Sequence, residues 1–310
     1  KANPMARRPV LERTLWPLVA ALFVATSADT AAQGLIGAGD LSELPVPEAD
    51  ARIAYGDDAF QFGDLYLPAG PGEHPVLAFI HGGCFLSAFN LDHAAGLARA
   101  IADRGYAVWS IEYRRVGDEG GGWPNTFKDV GMGLDHLRDV ASEYSLDIGR
   151  VVVSGHSAGG TLALWAAGRD KIDEGSELWT AEPLDVHAVL GLAAVGDLEA
   201  AQMNGACGNV VDRLMGGTPV QVPERYAAGS PMQLAPITQP VQLVVGLLDR
   251  AWTPASVSYL YRAIAVGADR IDLVELPESG HFEMIVPTTE SFQRVADTVE
   301  ASFREIASRN

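Results

Sequence analysis

The segment at residues 151–167 constrains the fold more than any other part of the chain. It reads V-V-V-S-G-H-S-A-G-G-T-L-A-L-W-A-A, an apolar strand pattern followed at once by a G-x-S-x-G turn and a helical pattern. This is the context of a nucleophile elbow, in which a serine sits on a tight strand-to-helix turn. Gly155 and Gly159 flank Ser157 because side chains there would collide with the neighbouring strand and helix. We predict that Ser157 is a nucleophile; the alternative is a Gly-rich turn whose serine only caps the helix.

Around this turn the chain alternates between strand and helix patterns. Short runs rich in Val, Ile and Leu, without polar alternation, predict strands at 65–67, 76–80, 107–111, 151–154, 188–192, 241–246 and 271–276. Helical patterns lie at 93–104, 127–144, 158–168, 256–266 and about 290–308. Such runs are typical of strands buried on both faces of a parallel sheet. We therefore predict an α/β fold with a mostly parallel sheet flanked by helices.

The interval at 193–240 is the least regular part of the chain. It holds Gly, Pro and short helical pieces at 209–215 and 223–228, between two predicted core strands. Loops of this length are usually functional lids or disordered, so we predict a small lid-like insertion. The alternative is a surface loop without contact to substrate. The simplest organisation is one domain over residues 33–310.

A glycine pair follows the predicted strand that ends at Ile80. The turn reads His81-Gly82-Gly83-Cys84, and paired glycines let backbone N–H groups turn towards a developing oxyanion. We predict that the N–H groups of Gly83 and Cys84, with that of Ala158, form an oxyanion hole, and that His81 holds the loop. The alternative is a plain β-turn with a packing histidine.

Two further residues complete a candidate catalytic set. Asp249 follows the strand at 241–246, and His281 lies in a loop after the last strand. The order Ser157, Asp249, His281 is the Ser–acid–His order of strand-to-helix elbow enzymes. His281 would act as general base and Asp249 would orient its imidazole.

Other acids and histidines compete for these roles. The competing acids are Asp272, Glu275 and Glu278. His74 and His93 are interpreted as surface residues, and His156 as packing near the elbow.

Together these motifs resemble the α/β-hydrolase superfamily. The pairing of H-G-G-C with G-H-S-A-G-G is similar to that of an esterase branch of this superfamily. That branch has hormone-sensitive-lipase-like, feruloyl/acetyl-xylan esterase-like and kynurenine-formamidase-like members. The stretch Glu112-Tyr-Arg-Arg115, with the later Phe127 and Asp129, is also similar to this branch. The resemblance covers roughly residues 50–305 and implies an eight-stranded sheet, an acyl-enzyme on Ser157 and no cofactor or metal. Cys84 departs from the third glycine of many relatives.

The resemblance points to the catalytic class but not to the substrate. The short stretch between residue 32 and the first strand leaves the 193–240 insertion as the main cover. We expect an open site for short-chain or aryl esters, with Gly82, Phe85, Trp123 and Trp252 as candidate pocket residues. For Phe85, Trp123 and Trp252 the alternative is a place in the hydrophobic core. The alternatives are an arylformamidase and, more remotely, a non-catalytic hydrolase-fold binding protein.

The N-terminal residues predict export. Arg7, Arg8 and Arg13 precede the apolar run 15–25, and small residues end at Ala32. This pattern is typical of a secretory signal peptide at 1–32, which would make the protein periplasmic or extracellular by the Sec or the twin-arginine route. An N-terminal helix is the alternative. We expect no stable membrane anchor, because the apolar run is shorter than the roughly 20 residues that span a bilayer.

Composition excludes several classes of partner. With 22 basic and 40 acidic residues the formal charge is −18, which argues against nucleic acid and anionic membranes. A small-molecule ester remains the expected partner, and the oligomeric state stays open. The 2 cysteines exclude a Cys-rich metal site. Export would permit a disulfide between Cys84 and Cys207, but we expect none, because Cys84 sits where the oxyanion turn is needed.

Overall fold

The computed structural model describes residues 34–309, and its centre is one eight-stranded sheet. The predicted signal segment at 1–32 lies outside the described residues and stays a prediction. The strands, in chain order, are β1 (Ala51–Ala54), β2 (Phe62–Tyr66), β3 (His74–Ile80), β4 (Ala107–Ile111), β5 (Leu146–His156), β6 (Ala188–Leu192), β7 (Val241–Gly246) and β8 (Ile271–Leu276).

The strand order in the sheet is β1-β2-β4-β3-β5-β6-β7-β8. β1 and β2 run antiparallel to their neighbours, and the strands from β4 to β8 pair in parallel. Ile80 lies beside Gly155 in the register of β3 and β5, which brings the turns after these two strands together at one edge. The predicted mostly parallel sheet is thus confirmed.

Helices cover both faces of the sheet. They are α1 (Ala38–Leu41), α2 (Ala95–Ala102), α3 (Asn125–Asp135), α4 (Leu137–Val140), α5 (Ala158–Ala167), α6 (Leu198–Met203), α7 (Val210–Met215), α8 (Pro223–Gly229), α9 (Thr253–Ala265) and α10 (Glu290–Arg309). Short 3₁₀ turns lie at Leu91–Ala94, Arg169–Lys171, Pro231–Leu234 and Glu283–Ile285. The predicted helix at 127–144 is two helices, α3 and α4. The 193–240 insertion is built from α6, α7 and α8.

The core lies in two layers because alternate residues of each strand point to opposite faces. Ala78 and Val153 belong to one layer, and Phe79 and Val152 to the other. Packing in the first layer is dominated by Trp109, Phe127 and Trp165, all buried. In the second layer, α10 packs an apolar stripe at three- and four-residue spacing: Phe292, Val295, Ala296, Val299, Phe303 and Ile306.

Residues from Leu35 onwards form one compact unit. Within the described range 34–309, no helix combines the length and apolarity needed to cross a membrane.

Candidate active site

Ser157 stands between β5, which ends at His156, and α5, which begins at Ala158. Its backbone has φ 56° and ψ −119°, a conformation that L-residues rarely adopt. The N–H of Ser157 donates to the carbonyl of Leu192 on β6 at 2.8 Å, so the strained turn is anchored to the neighbouring strand. This places the serine at the carboxyl edge of the sheet, at the N-terminus of a helix.

The two glycines of the turn are required by close packing. A Cβ on Gly155 would lie 2.2 Å from the carbonyl oxygen of Gly159, and a Cβ on Gly159 would lie 2.0 Å from that of Ile80. Both approaches are to backbone, which cannot move aside as the end of a side chain can. The collision predicted from the sequence is therefore the physical reason for G-x-S-x-G in this turn.

Asp249 and His281 form a short hydrogen bond. Nδ1 of His281 donates to Oδ2 of Asp249 at 2.6 Å, and the aspartate is buried. The other carboxylate oxygen accepts from the N–H groups of Ala251 and Trp252 at 3.2 and 3.1 Å. These bonds fix the carboxylate and put the Nδ1 proton on the side of the aspartate. Asp249 is therefore the carboxylate that holds His281.

Ser157 and His281 line the same cavity of about 350 Å³, which we name the His281 cavity. No hydrogen bond joins the Ser157 hydroxyl to His281 among the residues that the structure describes. Bonds of this kind are often long in unliganded sites and tighten when substrate binds. The lining residues are Ala38, Leu41, Gly83, Cys84, Phe89, His93, His156, Ser157, Asp249, Ala251, Trp252, His281 and Phe282.

The turn after β3 presents unused donors at this cavity. Gly83 and Cys84 have φ of 108° and 54°, which turns the backbone sharply beside Ser157. Across residues 34–309, the N–H groups of Gly83, Cys84 and Ala158 donate no hydrogen bond. Gly82 packs behind the nucleophile, because a Cβ there would lie 2.6 Å from the carbonyl oxygen of His156 and 3.2 Å from Cβ of Ser157.

Cys84 and Cys207 are joined by a disulfide, with their Cα atoms 5.9 Å apart. The expectation of no bond was wrong. The positive φ of Cys84 turns the backbone, and this turn does not use the side chain. The side chain is therefore available to bond with Cys207 in the insertion. The turn therefore serves both purposes, presenting an N–H group at the cavity and anchoring the 193–240 insertion to the loop beside Ser157.

A second, small cavity of about 20 Å³ lies on another side of Ser157. Its lining is almost wholly apolar: Phe85, Ser157, Ala158, Thr161, Val195, Leu198, Ala201, Ala206, Cys207, Val210, Val211 and Trp252. Phe85 and Trp252 thus lie where a pocket residue was expected. Trp123 does not: it packs against Phe127 and lines a separate cavity with Lys171 and Arg225. Trp123 therefore lines neither of the two cavities beside Ser157.

His81 has the loop-holding position predicted for it. Its ring lies 4.4 Å from that of Tyr113 in a stacked arrangement, and its Nε2 is 3.0 Å from Oε1 of Glu112. His93 was interpreted as a surface residue, and this was wrong. It lines the His281 cavity next to His81, and burial, with the neighbouring His81, lowers the pKa of His93 to about 3.

The sequence analysis missed one contribution to the site, that of α1, and gave a second residue, His156, only a packing role. Ala38 and Leu41 of α1 line the His281 cavity, and the N–H of Ile36 donates to Oε1 of Glu283 at 2.6 Å. His156 donates from Nε2 to the carbonyl of His281 at 2.8 Å. The signal for His156 was its place beside Ser157. For α1 and the residues just before it, no local pattern pointed to the bond between Ile36 and Glu283, which are 247 residues apart.

This sheet, elbow and Asp–His pair define the α/β-hydrolase class, in its carboxylesterase branch. More narrowly, the chain belongs to the BD-FAE family, whose family model matches residues 63–262. The match includes Ser157 and Asp249, and His281 lies beyond it.

Among curated relatives, the chain is 30% identical over 132 residues to a probable isoprenylcysteine alpha-carbonyl methylesterase of Arabidopsis thaliana, over 42% of this chain and 27% of that protein. The chain spans about a quarter of the length of the curated relatives it matches.

Solved structures with the same fold include esterase B from Lactobacillus rhamnosis inhibited by a tributyrin phosphonate (TM-score 0.75, 20% identity, 87% of this chain and 90% of that chain). A truncated carbohydrate esterase from gut microbiota also matches (TM-score 0.68, 19% identity, 82% and 95%).

Proposed function

We propose that the protein is a serine ester hydrolase that works through an acyl-enzyme on Ser157. The observation that carries this proposal is the 2.6 Å bond between Asp249 and His281, at a cavity that Ser157 also lines from a strained elbow. The left-handed backbone of Ser157 costs free energy of folding, and such strained conformations are found mainly at functional sites.

The proposed steps follow from the geometry of the Asp249–His281 pair. Because Nδ1 of His281 is committed to Asp249, Nε2 is the nitrogen that takes the proton from the Ser157 hydroxyl as Oγ attacks the ester carbonyl carbon. Asp249 stabilises the imidazolium that results. The imidazolium then gives the proton to the leaving alcohol, and water releases the acid from Ser157 by the same steps.

The oxyanion is proposed to lie among the N–H groups of Gly83, Cys84 and Ala158. Their lack of other acceptors within residues 34–309 supports this, because an oxyanion hole needs donors that are free before substrate arrives. Removing one such donor from a hydrolase costs about 10²–10³ in kcat.

The two cavities suggest which part of an ester goes where. The leaving oxygen must lie within reach of His281, so the alcohol portion is assigned to the His281 cavity of about 350 Å³. The acyl portion is then assigned to the cavity of about 20 Å³, which has room for little more than a methyl group. Phe89, Trp252 and Phe282 make the alcohol side aromatic. We therefore propose short-chain acyl esters, including those of aryl alcohols, as substrates.

The test is an assay panel with wild type, Ser157→Ala and Ser154→Ala. Ser154 is a matched control, because it is a buried serine of β5, three residues before Ser157, whose hydroxyl donates to the carbonyl of Leu190. With p-nitrophenyl acetate we expect Ser157→Ala to lose at least about 10⁴-fold in kcat and Ser154→Ala to stay close to wild type. A fluorophosphonate probe should label wild type and Ser154→Ala only. Equal labelling of Ser157→Ala would overturn the proposal, and preferential turnover of N-formylkynurenine would make the enzyme an arylformamidase.

We also propose that the protein is exported, as its first 32 residues predict. The disulfide supports this, because disulfides persist in oxidising compartments. The test is expression of residues 1–32 fused to an alkaline phosphatase reporter that takes the place of residues 33–310. Reporter activity is expected, and its absence with accumulation of unprocessed fusion would argue against export.

A further inference from the structure

The loop that joins α6 to α7, residues 204–209, separates two cavities; we name it the partition loop. On its inner side lies the small cavity of about 20 Å³ beside Ser157, and on its outer side a cavity of about 500 Å³. Five residues line both cavities: Ala206 and Cys207 belong to the partition loop, and Val195, Ala201 and Trp252 lie outside it. The wall between them is therefore one residue thick.

The partition loop bonds mainly to its own neighbourhood. The N–H of Ala206 donates to Ala201 at 2.9 Å and that of Gly208 to Gly205 at 2.9 Å, so these bonds stay within α6 and the loop. Gly205, Cys207 and Gly208 have φ of 65°, 53° and 75°, a left-handed path without regular structure. Neither feature ties the loop to the sheet.

The tie is supplied by the disulfide. It crosses from Cys207 in the partition loop to Cys84, which is 123 residues away along the chain and follows β3. Cys84 lines the His281 cavity, and Cys207 lines both the small cavity and the outer one, so the bond joins the walls of the cavities beside Ser157. Loss of the bond would free the wall without removing any residue that is proposed to act on the ester.

We propose that the Cys84–Cys207 disulfide determines acyl-chain specificity by holding the partition loop as the end wall of the acyl cavity. With the bond intact, the acyl group is limited to about the size of acetyl. With the bond broken, the loop moves outwards and the small cavity joins the outer one, which admits longer chains. This inference rests on the proposed ester hydrolysis and on the assignment of the acyl group to the small cavity.

The experiment compares wild type with the double variant Cys84→Ser/Cys207→Ser on p-nitrophenyl acetate, butyrate and hexanoate. The measured quantity is the ratio of kcat/KM for hexanoate to that for acetate. We expect this ratio to rise at least tenfold in the double variant, mainly through a lower KM for hexanoate. Wild type reduced by a phosphine and blocked with iodoacetamide should show the same shift.

Two sets of controls isolate the bond from the side chains. The single variants Cys84→Ser and Cys207→Ser should each give the shift of the double variant, since either one breaks the bond. Met203→Ala changes an exposed residue of α6, 75% accessible, outside both cavity walls, and should leave the ratio unchanged.

Three results would overturn the proposal. The first is an unchanged ratio in an active double variant, and the second is a shift in only one of the single variants. The third is loss of the fold in every form that lacks the bond, measured by circular dichroism, which would assign the disulfide to stability alone. Failure of the proposed function has a different signature, because wild type itself would then hydrolyse none of the esters.

Discussion

His156, the last residue of β5, donates from Nε2 to the main-chain carbonyl of His281 at 2.8 Å. The two residues are 125 positions apart, and the bond joins the strand that carries Ser157 to the loop that carries the proposed base. A carbonyl oxygen only accepts, so the proton of His156 is on Nε2. His156 is buried, and its imidazole centroid lies 4.7 Å from that of His281. His156 is therefore placed to position His281 relative to Ser157.

Replacing His156 by Phe is expected to lower kcat towards esters about tenfold or more, because small displacements of a reacting group are costly. KM should change little, since the substrate cavity keeps its walls. His156→Gln should restore most of kcat, because the amide Nε2 can donate to the same carbonyl. Steady-state kinetics of the three proteins checks this. Equal kcat for His156→Phe and His156→Gln would show that the hydrogen bond does not position the base.

Burial lowers the pKa of His156 well below its ordinary value of 6.5, and His281 and His93 nearby lower it further. Below pH 6.5 the unfolded chain binds a proton at this histidine that the folded protein does not. The free energy of unfolding should therefore fall with decreasing pH, by about 1.4 kcal/mol per pH unit for this one group.

Urea unfolding at about pH 7.5 and about pH 5.5 measures this slope. The variant His156→Gln lacks the titrating group and should lose less stability over the same interval. Identical pH slopes for wild type and His156→Gln would show that the buried His156 imidazole does not cause the loss of stability in acid.

Features that depend on neighbouring residues along the chain were predictable from sequence. The elbow at Ser157 and the buried strands were predicted because local patterns encode them. β1 was not predicted: its residues, Ala51–Ala54, alternate between half-buried and exposed, and only Ile53 has a strong preference for strands. Asp249 and His281 were predicted because each follows a recognisable core strand.

Features that depend on how distant segments approach were not predictable in the same way. The Cys84–Cys207 bond needs a Cα separation of 5.9 Å between two loops, which no spacing along the chain reports. Trp123 was expected at the pocket, yet the tertiary packing of α3 against α5 takes it elsewhere. His93 is assigned to the cavity wall by the same kind of packing.

Gly159→Ala is expected to destabilise the protein by about 3 kcal/mol or more, because its Cβ would overlap the carbonyl of Ile80 and force the two backbones apart. Gly175→Ala is the matched control, since a Cβ there meets no atom within 4 Å. Urea unfolding of both variants gives the comparison. A stable Gly159→Ala protein would mean that β3 and α5 can separate without cost.

Replacing Asp129 by Ala is expected to destabilise the folded protein, because this carboxylate binds the loop that follows β4. It is fully buried, and Oδ2 and Oδ1 accept from Nε and Nη2 of Arg114 at 2.8 and 2.6 Å, while Oδ1 also accepts from Gln61 at 2.7 Å. Asp129→Ala removes these bonds to Arg114 and leaves the half-buried arginine with the more distant Asp58, whose Oδ2 is 3.7 Å from Nη1. Removal of one member of a buried pair costs about 3–5 kcal/mol.

The surface pair of Arg304 and Glu300 provides the contrast, because the arginine side chain is 67% exposed. Arg304→Ala should change the free energy of unfolding by no more than about 0.5 kcal/mol, since water and salt already screen such a pair. Measuring both variants by urea unfolding in low and high salt separates the two cases. The Asp129→Ala loss should persist in high salt, because the pair is shielded from the solvent ions. A loss that disappears in high salt would place this pair among the exposed ones and contradict the structural role of Asp129.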